Sequence, residues 1–370
     1  MKIIQSSNIQ LGQSFVGYGL IGDHLRVGIK RAFSRIIDLA IAEKSDLVIL
    51  AGDTFDDLDI SQKMLDFFLS EVGRLDKIPV VVLPGSRDFY QKGSFWDEWK
   101  ITKPAPNLYL LADTKKSSIV IPEIGVIVYG CPPIAANSSE NLLSKIERRD
   151  ESAHHIAVVY GNVVRPEPDI EWNYPLGMED LFAAPFDYVA LGGQNSYHNY
   201  SDIGIKAAYS GSPEVLSSEQ TNSGNVLIVN LDDGRINIEP QKVGSFVWKD
   251  AEIHMESVAN FDELEMQIRE MAGPDVLLKV EFKGLTLFEA GFNLDQLQMD
   301  LENDFLNLKI IDNTNVLPGN ISEVKVQEKT ILGQYLKVMV EKLNKADDQT
   351  RPNYYESLKI GYNLLAGKVI

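Results

Sequence analysis

The sequence predicts a layered α/β protein followed by a small second domain. Three observations carry this. Short β-branched apolar runs alternate with stretches whose apolar residues recur every three to four positions, as in a sheet whose strands are joined by helices. Near residues 242–245 that register gives way to a compact strand-helix-strand-helix-strand series. At 370 residues and 44% hydrophobic content, the chain is long enough for two cores.

In chain order, the predicted strands of the first part are 2–5, 47–50, 80–83, 126–129, 156–160 and 188–191. Each is a short apolar run rich in Val, Ile or Leu. Between them lie amphipathic helices over 24–44, 61–75, 139–149 and 176–184, and a short one over 94–100 carries two Trp three apart. From 205 the pattern is strand-rich, with a hairpin turned at Asp233-Gly234. The segments "FVWKDAEIHM", "NFDELEMQIREMA", "DVLLKVEFKG", "NLDQLQMDLEND" and "NLKIIDN" form the second domain, and the chain is helical after Val326. The expected boundaries are therefore 1–242, 243–326 and 327–370.

The formal net charge is −18, divided as −11 over residues 1–240 and −7 over 241–370. That balance argues against a protein that grips nucleic acid unaided, which needs a basic surface. No apolar run is long enough to span a membrane, and the first residues lack a secretory apolar core. The single Cys131 excludes an internal disulfide or a thiolate metal cluster. A cytoplasmic location with no membrane contact is expected, so the sequons at Asn137, Asn199 and Asn320 carry little weight.

Six segments follow one another in a telling order: "SSNIQLGQ", "DLVILAGDTFDD", "VVLPGSRD", "IAVVYGNV", "DYVALGGQN" and "AAYSGSPE". Together they resemble the calcineurin-like metallophosphoesterases, and most closely the SbcD-type nuclease subunit of the double-strand-break repair complex. The resemblance implies a four-layer α-β-β-α sandwich with a smaller α+β capping domain. It also implies two-metal phosphodiester hydrolysis, in which a pair of manganese-type cations clamps the phosphate and activates a water. The family supplies its ligands from Asp, His and Asn at seven motif positions. Carried across, those positions are Asn8, Gln10, Asp53, Ser86, Tyr160, Gly193 and Asn195. Only Asp53 keeps its family ligand type, and no imidazole remains. The family's proton-donating His is Arg87, which stays protonated at working pH and cannot act as a general acid.

The expectation is therefore a vestigial site without metal or cofactor, in a catalytically degenerate homologue that serves as a scaffold or DNA-end-binding subunit. The alternative is an active manganese-dependent phosphoesterase or exonuclease with a rebuilt site at Asp53 and His198. Arg87 is read as a phosphate fork or as an ion-pair partner of Asp53 or Asp88, with the Asp53 pair preferred because it leaves no unpaired buried carboxylate. Asp56 and Asp57 are read as loop-capping or solvated. His24, His154, His155 and His254 fall outside the motifs and are assigned surface or capping roles.

The resemblance further implies a two-fold homodimer through Phe67, Phe68, Trp96 or their helical neighbours, and an SbcC-like coiled-coil ATPase as partner, with DNA ends as a possible ligand. The amphipathic stretch "ILGQYLKVMVEKL" is expected to pack back on the first domain.

Overall fold

The computed structural model of the chain describes residues 1–19, 21–114, 118–149, 154–164, 172–220, 222–232, 234–258, 260–286, 294–316, 330–347 and 350–365. It divides into two compact units, Met1–Val247 and Trp248–Ile370. The expected boundary at 326/327, Asn320, Asp233 and the final five residues lie outside the described residues.

The first unit runs β1 (Lys2–Ser6), α1 (Ile21–Ala42), β2 (Leu47–Ala51), α2 (Gln62–Gly73), β3 (Val80–Leu83), α3 (Phe95–Thr102), β4 (Leu108–Leu110), β5 (Ser118–Ile121), β6 (Val126–Tyr129) and β7 (His154–Tyr160). It continues with β8 (Asn162–Val164), β9 (Pro175–Gly177), α4 (Met178–Ala183), β10 (Tyr188–Gly192), β11 (His198–Asn199), β12 (Ala207–Tyr209), β13 (Asn225–Asp232) and β14 (Arg235–Lys242). One six-stranded sheet has the order β14-β13-β1-β2-β3-β4 and the other β11-β12-β10-β7-β6-β5. The β1-β2-β3-β4 and β6-β7-β10-β12 runs are parallel; antiparallel strands flank the first on one side (β13, β14) and the second on both (β5, β11).

The period-2 geometry of strands sorts the first sheet's side chains. Ile3, Leu47, Ile49, Ala51, Val81 and Leu83 share one core with Tyr129, Val158, Tyr160 and Leu191 of the second sheet. A polar tie crosses between the sheets: the Gln5 amide donates to the carbonyls of Leu191 (3.1 Å) and Ala208 (3.0 Å) and accepts from the Tyr188 hydroxyl. The other face of the first sheet is covered by α1, α2 and α3. Helix α1 buries Leu25, Ile29, Phe33, Ile36, Ile37 and Ala40, the stripe that its sequence spacing predicts.

Three expectations change here. Segment 139–149 is not an α-helix; it holds one 3₁₀ turn, Leu143–Lys145. The Asn141 carboxamide oxygen accepts from the main-chain N–H groups of Leu143 (3.0 Å) and Ser144 (3.4 Å), and such local side-chain bonds compete with helical ones. The outer layer on the second sheet is therefore α4 with this turn, whose Leu142, Leu143 and Ile146 join the core. Phe68 and Trp96 are fully buried and Trp99 nearly so, which removes them from the candidate dimer contacts. They form an internal aromatic cluster: Phe68 stacks on Phe33 (5.4 Å) and on Trp99 (5.7 Å), and Phe55 packs against Phe68 (5.3 Å) and Trp96 (5.6 Å). His155 is also buried rather than superficial, with its Nδ1 2.9 Å from the Tyr129 hydroxyl.

The second unit contains β15 (Val247–His254), α5 (Phe261–Arg269), β16 (Gly273–Thr286), α6 (Leu294–Leu301) and β17 (Phe305–Val316), the alternation predicted from sequence. Its three strands form a sheet of order β15-β16-β17, with β16 and β17 parallel, over a core including Leu264, Ile268, Val280, Phe282 and Leu297. Helices α7 (Ile331–Lys345) and α8 (Arg351–Leu365) follow. Leu336, Met339 and Leu343 of α7 cluster with Leu358 of α8, so the apolar stripe of α7 is covered by its own hairpin partner.

Candidate functional site

Parallel α/β sheets present their loops at the carboxyl ends of the strands, and all six motif segments arrive there. Asn8 and Gln10 follow β1, Asp53 follows β2, Ser86 to Asp88 follow β3, Tyr160 ends β7, and Gly193 and Asn195 follow β10. The loops after β1 and β2 are laced together by the N–H groups of Asn8, Gln10 and Leu11, which donate to the carbonyls of Gly52 (3.0 Å), Asp53 (3.0 Å) and Thr54 (2.9 Å). Asn8, Gln10 and Asp53 all have positive φ (52°, 56° and 51°), the left-handed region that costs a non-glycine residue about 1 kcal/mol. Such conformations concentrate where surrounding structure fixes them for a purpose.

Asp53 is almost fully buried and its carboxylate is fully engaged. Oδ1 accepts from the Arg87 main-chain N–H (2.9 Å) and Oδ2 from the Tyr160 hydroxyl (2.8 Å). The Tyr160 oxygen lies 2.7 Å from Ser86 Oγ. Because the single phenolic proton goes to Asp53, Ser86 is the donor in that bond. Burial raises the Asp53 carboxyl above its ordinary value against the pull of these donors, and burial together with the Asp53 charge holds the Tyr160 hydroxyl protonated far above its ordinary range. On the other side of the cleft, the Asn8 carboxamide accepts from the Gly193 N–H (3.1 Å) and donates to Asn195 Oδ1 (2.9 Å).

Two glycines make this packing possible. A Cβ on Gly52, whose φ is +89°, would lie 2.3 Å from the Tyr160 ring, and one on Gly85 would lie 2.1 Å from Asp53 Oδ1. Beneath them Asp88 is wholly buried and accepts from the N–H groups of Phe55 (3.0 Å) and Gly85 (2.6 Å), and its own carbonyl accepts from Trp96 Nε1 (2.5 Å).

The expected Arg87–Asp53 ion pair is not what forms. Asp53 takes the main-chain N–H of Arg87, while the guanidinium turns outward to Asp56 Oδ1 at 2.6 Å, with the Arg87 side chain 46% exposed. The physical reason is competition: Tyr160 already fills the second Asp53 oxygen from inside, and Asp56 offers a less buried partner at the cleft mouth. Asp56 thus has a role as an ion-pair partner, signalled by its place three residues after Asp53 in the same loop. In the motif pattern Tyr160 stands only as the replacement of a family histidine, with no sign of its bonds to Asp53 and Ser86. Gly52, which clears room for its ring, is the available signal. His198 is exposed on the edge strand β11, opposite Tyr209, and outside this hydrogen-bonded set.

Divalent metal pairs need several carboxylate, imidazole or carboxamide donors turned to a common point. Here the donor set offers one carboxylate with both oxygens engaged, three carboxamides of which Asn8 and Asn195 are bonded to each other, and two hydroxyls bonded in series. Among the described residues no group of three or more His, Cys, Asp or Glu side chains is placed to hold a metal ion. These residues do not fit a metal pair.

Comparison with known proteins agrees with the motif order. The chain is 23% identical over 293 residues to the metallophosphoesterase YhaO of Bacillus subtilis (strain 168), covering 77% of this chain and 69% of that one. It is 28% identical over 225 residues to the DNA double-strand break repair protein Mre11 of Saccharolobus solfataricus, covering 60% of this chain and 56% of the relative. It is also 28% identical over 226 residues to the Mre11 of Sulfurisphaera tokodaii, covering 59% and 55%. The match thus spans little more than half the length of the two archaeal relatives. Residues 17–203, half of the sequence, match the calcineurin-like phosphoesterase family, and with two facing sheets that gather its motif loops at one edge, the chain belongs to that family.

Proposed function

We propose that this chain is a catalytically degenerate relative of the SbcD and Mre11 nuclease subunits, acting in DNA repair as a non-hydrolytic scaffold or DNA-end-binding subunit. In this reading it works in the cytoplasm as a homodimer beside a coiled-coil ATPase, with residues 243–326 as the capping domain and 327–370 as the tail. The observation that carries the reading is the donor set: across seven motif positions one carboxylate remains, and it is already satisfied by Tyr160 and the Arg87 main chain. Similarity to repair proteins named Mre11 supplies the DNA-repair context. The purified full chain, incubated with manganese and dialysed, is expected to retain no stoichiometric metal and to leave a duplex DNA end intact. Manganese-dependent cleavage that Asp53→Ala abolishes would overturn the reading and establish an active phosphoesterase with a rebuilt site.

A further inference from the structure

The vestigial site is not merely short of ligands. Its loops are cross-linked, and the links from the second sheet to Asp53 and Ser86 run through one side chain. Tyr160, projecting from the end of β7 in the second sheet, reaches Asp53 after β2 (2.8 Å) and Ser86 after β3 (2.7 Å), both in the first sheet. We infer that the Tyr160 hydroxyl is a metal-independent strut that fixes the loops of the two sheets against each other in place of a dinuclear centre.

Four features support this. The bonds form a directed series, Ser86 to Tyr160 to Asp53, so each oxygen has a defined partner and none competes for the same proton. The ring is packed as well as bonded: its edge lies where a Gly52 side chain would stand, and Cζ is 3.3 Å from the Cβ position of Gly193. The left-handed backbone at Asn8, Gln10 and Asp53 is retained, and such strain persists only where the surroundings over-determine it. The Asn8 carboxamide makes the corresponding link from the β1 loop to Gly193 and Asn195, so the two links together join loops from β1, β2, β3, β7 and β10.

The inference rests on the degenerate reading of the site but fails separately from it. The decisive measurements are thermal melting and amide hydrogen exchange on the full chain, in EDTA and in manganese. For the wild type, the melting temperature is expected to be the same in both. Tyr160→Phe keeps the ring and removes the oxygen, leaving Asp53 Oδ2 and Ser86 without their bridge. It should lower the melting temperature and speed exchange of the amides in 8–12 and 85–88 about tenfold, with the strands of both sheets unchanged. Ser86→Ala, which cuts only the outer bond, should have a smaller effect of the same kind and covers the case in which Tyr160→Phe does not fold. A double-mutant cycle of Tyr160→Phe with Asp53→Asn should show coupling. If Tyr160→Phe melts and exchanges like the wild type, or the cycle is additive, the strut is refuted while the degenerate reading stands. If manganese raises the melting temperature of the wild type, the degenerate reading itself falls and the strut with it.

Discussion

At the scale of single residues, two side chains in the turn after β3 behave in opposite ways. Arg87 carries a full charge yet sits at the cleft mouth, and its pair with Asp56 is between a 46% and a 20% exposed side chain. Exposed pairs are worth about 0–1 kcal/mol, so Arg87→Ala should leave the melting temperature nearly unchanged. Its main-chain N–H, which serves Asp53, survives the substitution. A large loss of stability in a thermal melt would show that the guanidinium does more than this pair. On the proposed degenerate reading, Arg87→His should not produce phosphodiesterase activity, because only one of the several substituted motif positions is then changed.

Asp88 is the buried counterpart. Burial first, and then the neighbouring charge of Asp53, raise its carboxyl from the ordinary 3.8 to about 7, against the two N–H groups it accepts. Since the folded value lies above the unfolded one, the folded state binds the extra proton between them. The associated stability is complete below about pH 4 and is lost as pH rises through about 7. A shift of this size corresponds to at most about 4 kcal/mol at 1.36 kcal/mol per unit. Asp53 and Glu214 are shifted in the same direction, each chiefly by burial. Melting temperatures should therefore fall between pH 5 and pH 8, and Asp88→Asn should flatten that slope. A profile that rises over the same range would contradict the assignment.

At the scale of elements, the aromatic residues of α2 and α3 show how tertiary packing reassigns a pattern. Phe68 and Trp96 are expected, from the family resemblance, to be dimer contacts. They are consumed instead by Phe33 of α1 and Phe55 of the β2 loop, which close the cluster inside one chain. Trp96 also ties α3 to the Asp88 carbonyl. Trp96→Ala should thus cost about 3–5 kcal/mol in urea unfolding, as cavity formation in a core does, without depending on protein concentration. A concentration-dependent loss would return Trp96 to an interface.

The tail behaves likewise as an element pair. Thr330 caps α7 by accepting from the Gly333 N–H (3.0 Å), and the buried stripe of α7 meets Leu358 of α8. Ending the chain at Asp347 removes that partner and exposes Leu336, Met339 and Leu343. The truncated protein should lose the helicity of α7 as well as α8 in circular dichroism and, if the proposed coiled-coil ATPase is its partner, co-purify less with it. Retention of full α7 helicity would mean that the stripe finds another partner.

At the scale of the whole molecule, charge and assembly set the expectations. A net charge of −18 opposes unaided binding to a polyanion, so any DNA affinity of the isolated chain should be weak and fall steeply with salt. The proposed homodimer must use a surface other than Phe68 and Trp96; light scattering at micromolar concentration should give twice the mass of 41.3 kDa. A strictly monomeric mass would remove the dimer from the proposal. Among the described residues no helix is long and apolar enough to cross a membrane.

What the sequence determined by itself is the local and periodic content. Alternation of β-branched runs with amphipathic helices, Gly and Pro at the motif turns, and six motifs in order are written along the chain, and they were sufficient for the fold family. The same periodicity misread 139–149, because one Asn side chain can satisfy the main-chain groups that a helix would use. What only the tertiary structure decided are the partnerships between distant residues. Arg87 has three carboxylates within reach in the sequence, Asp53, Asp56 and Asp88, and spacing cannot choose among them. The choice was made by Tyr160, 107 positions from Asp53, which arrives from the opposite sheet and fills the inner oxygen first. Burial has the same origin: whether an aromatic face is core or interface depends on which other segments fold over it, and that is a property of the packed chain rather than of any stretch of it.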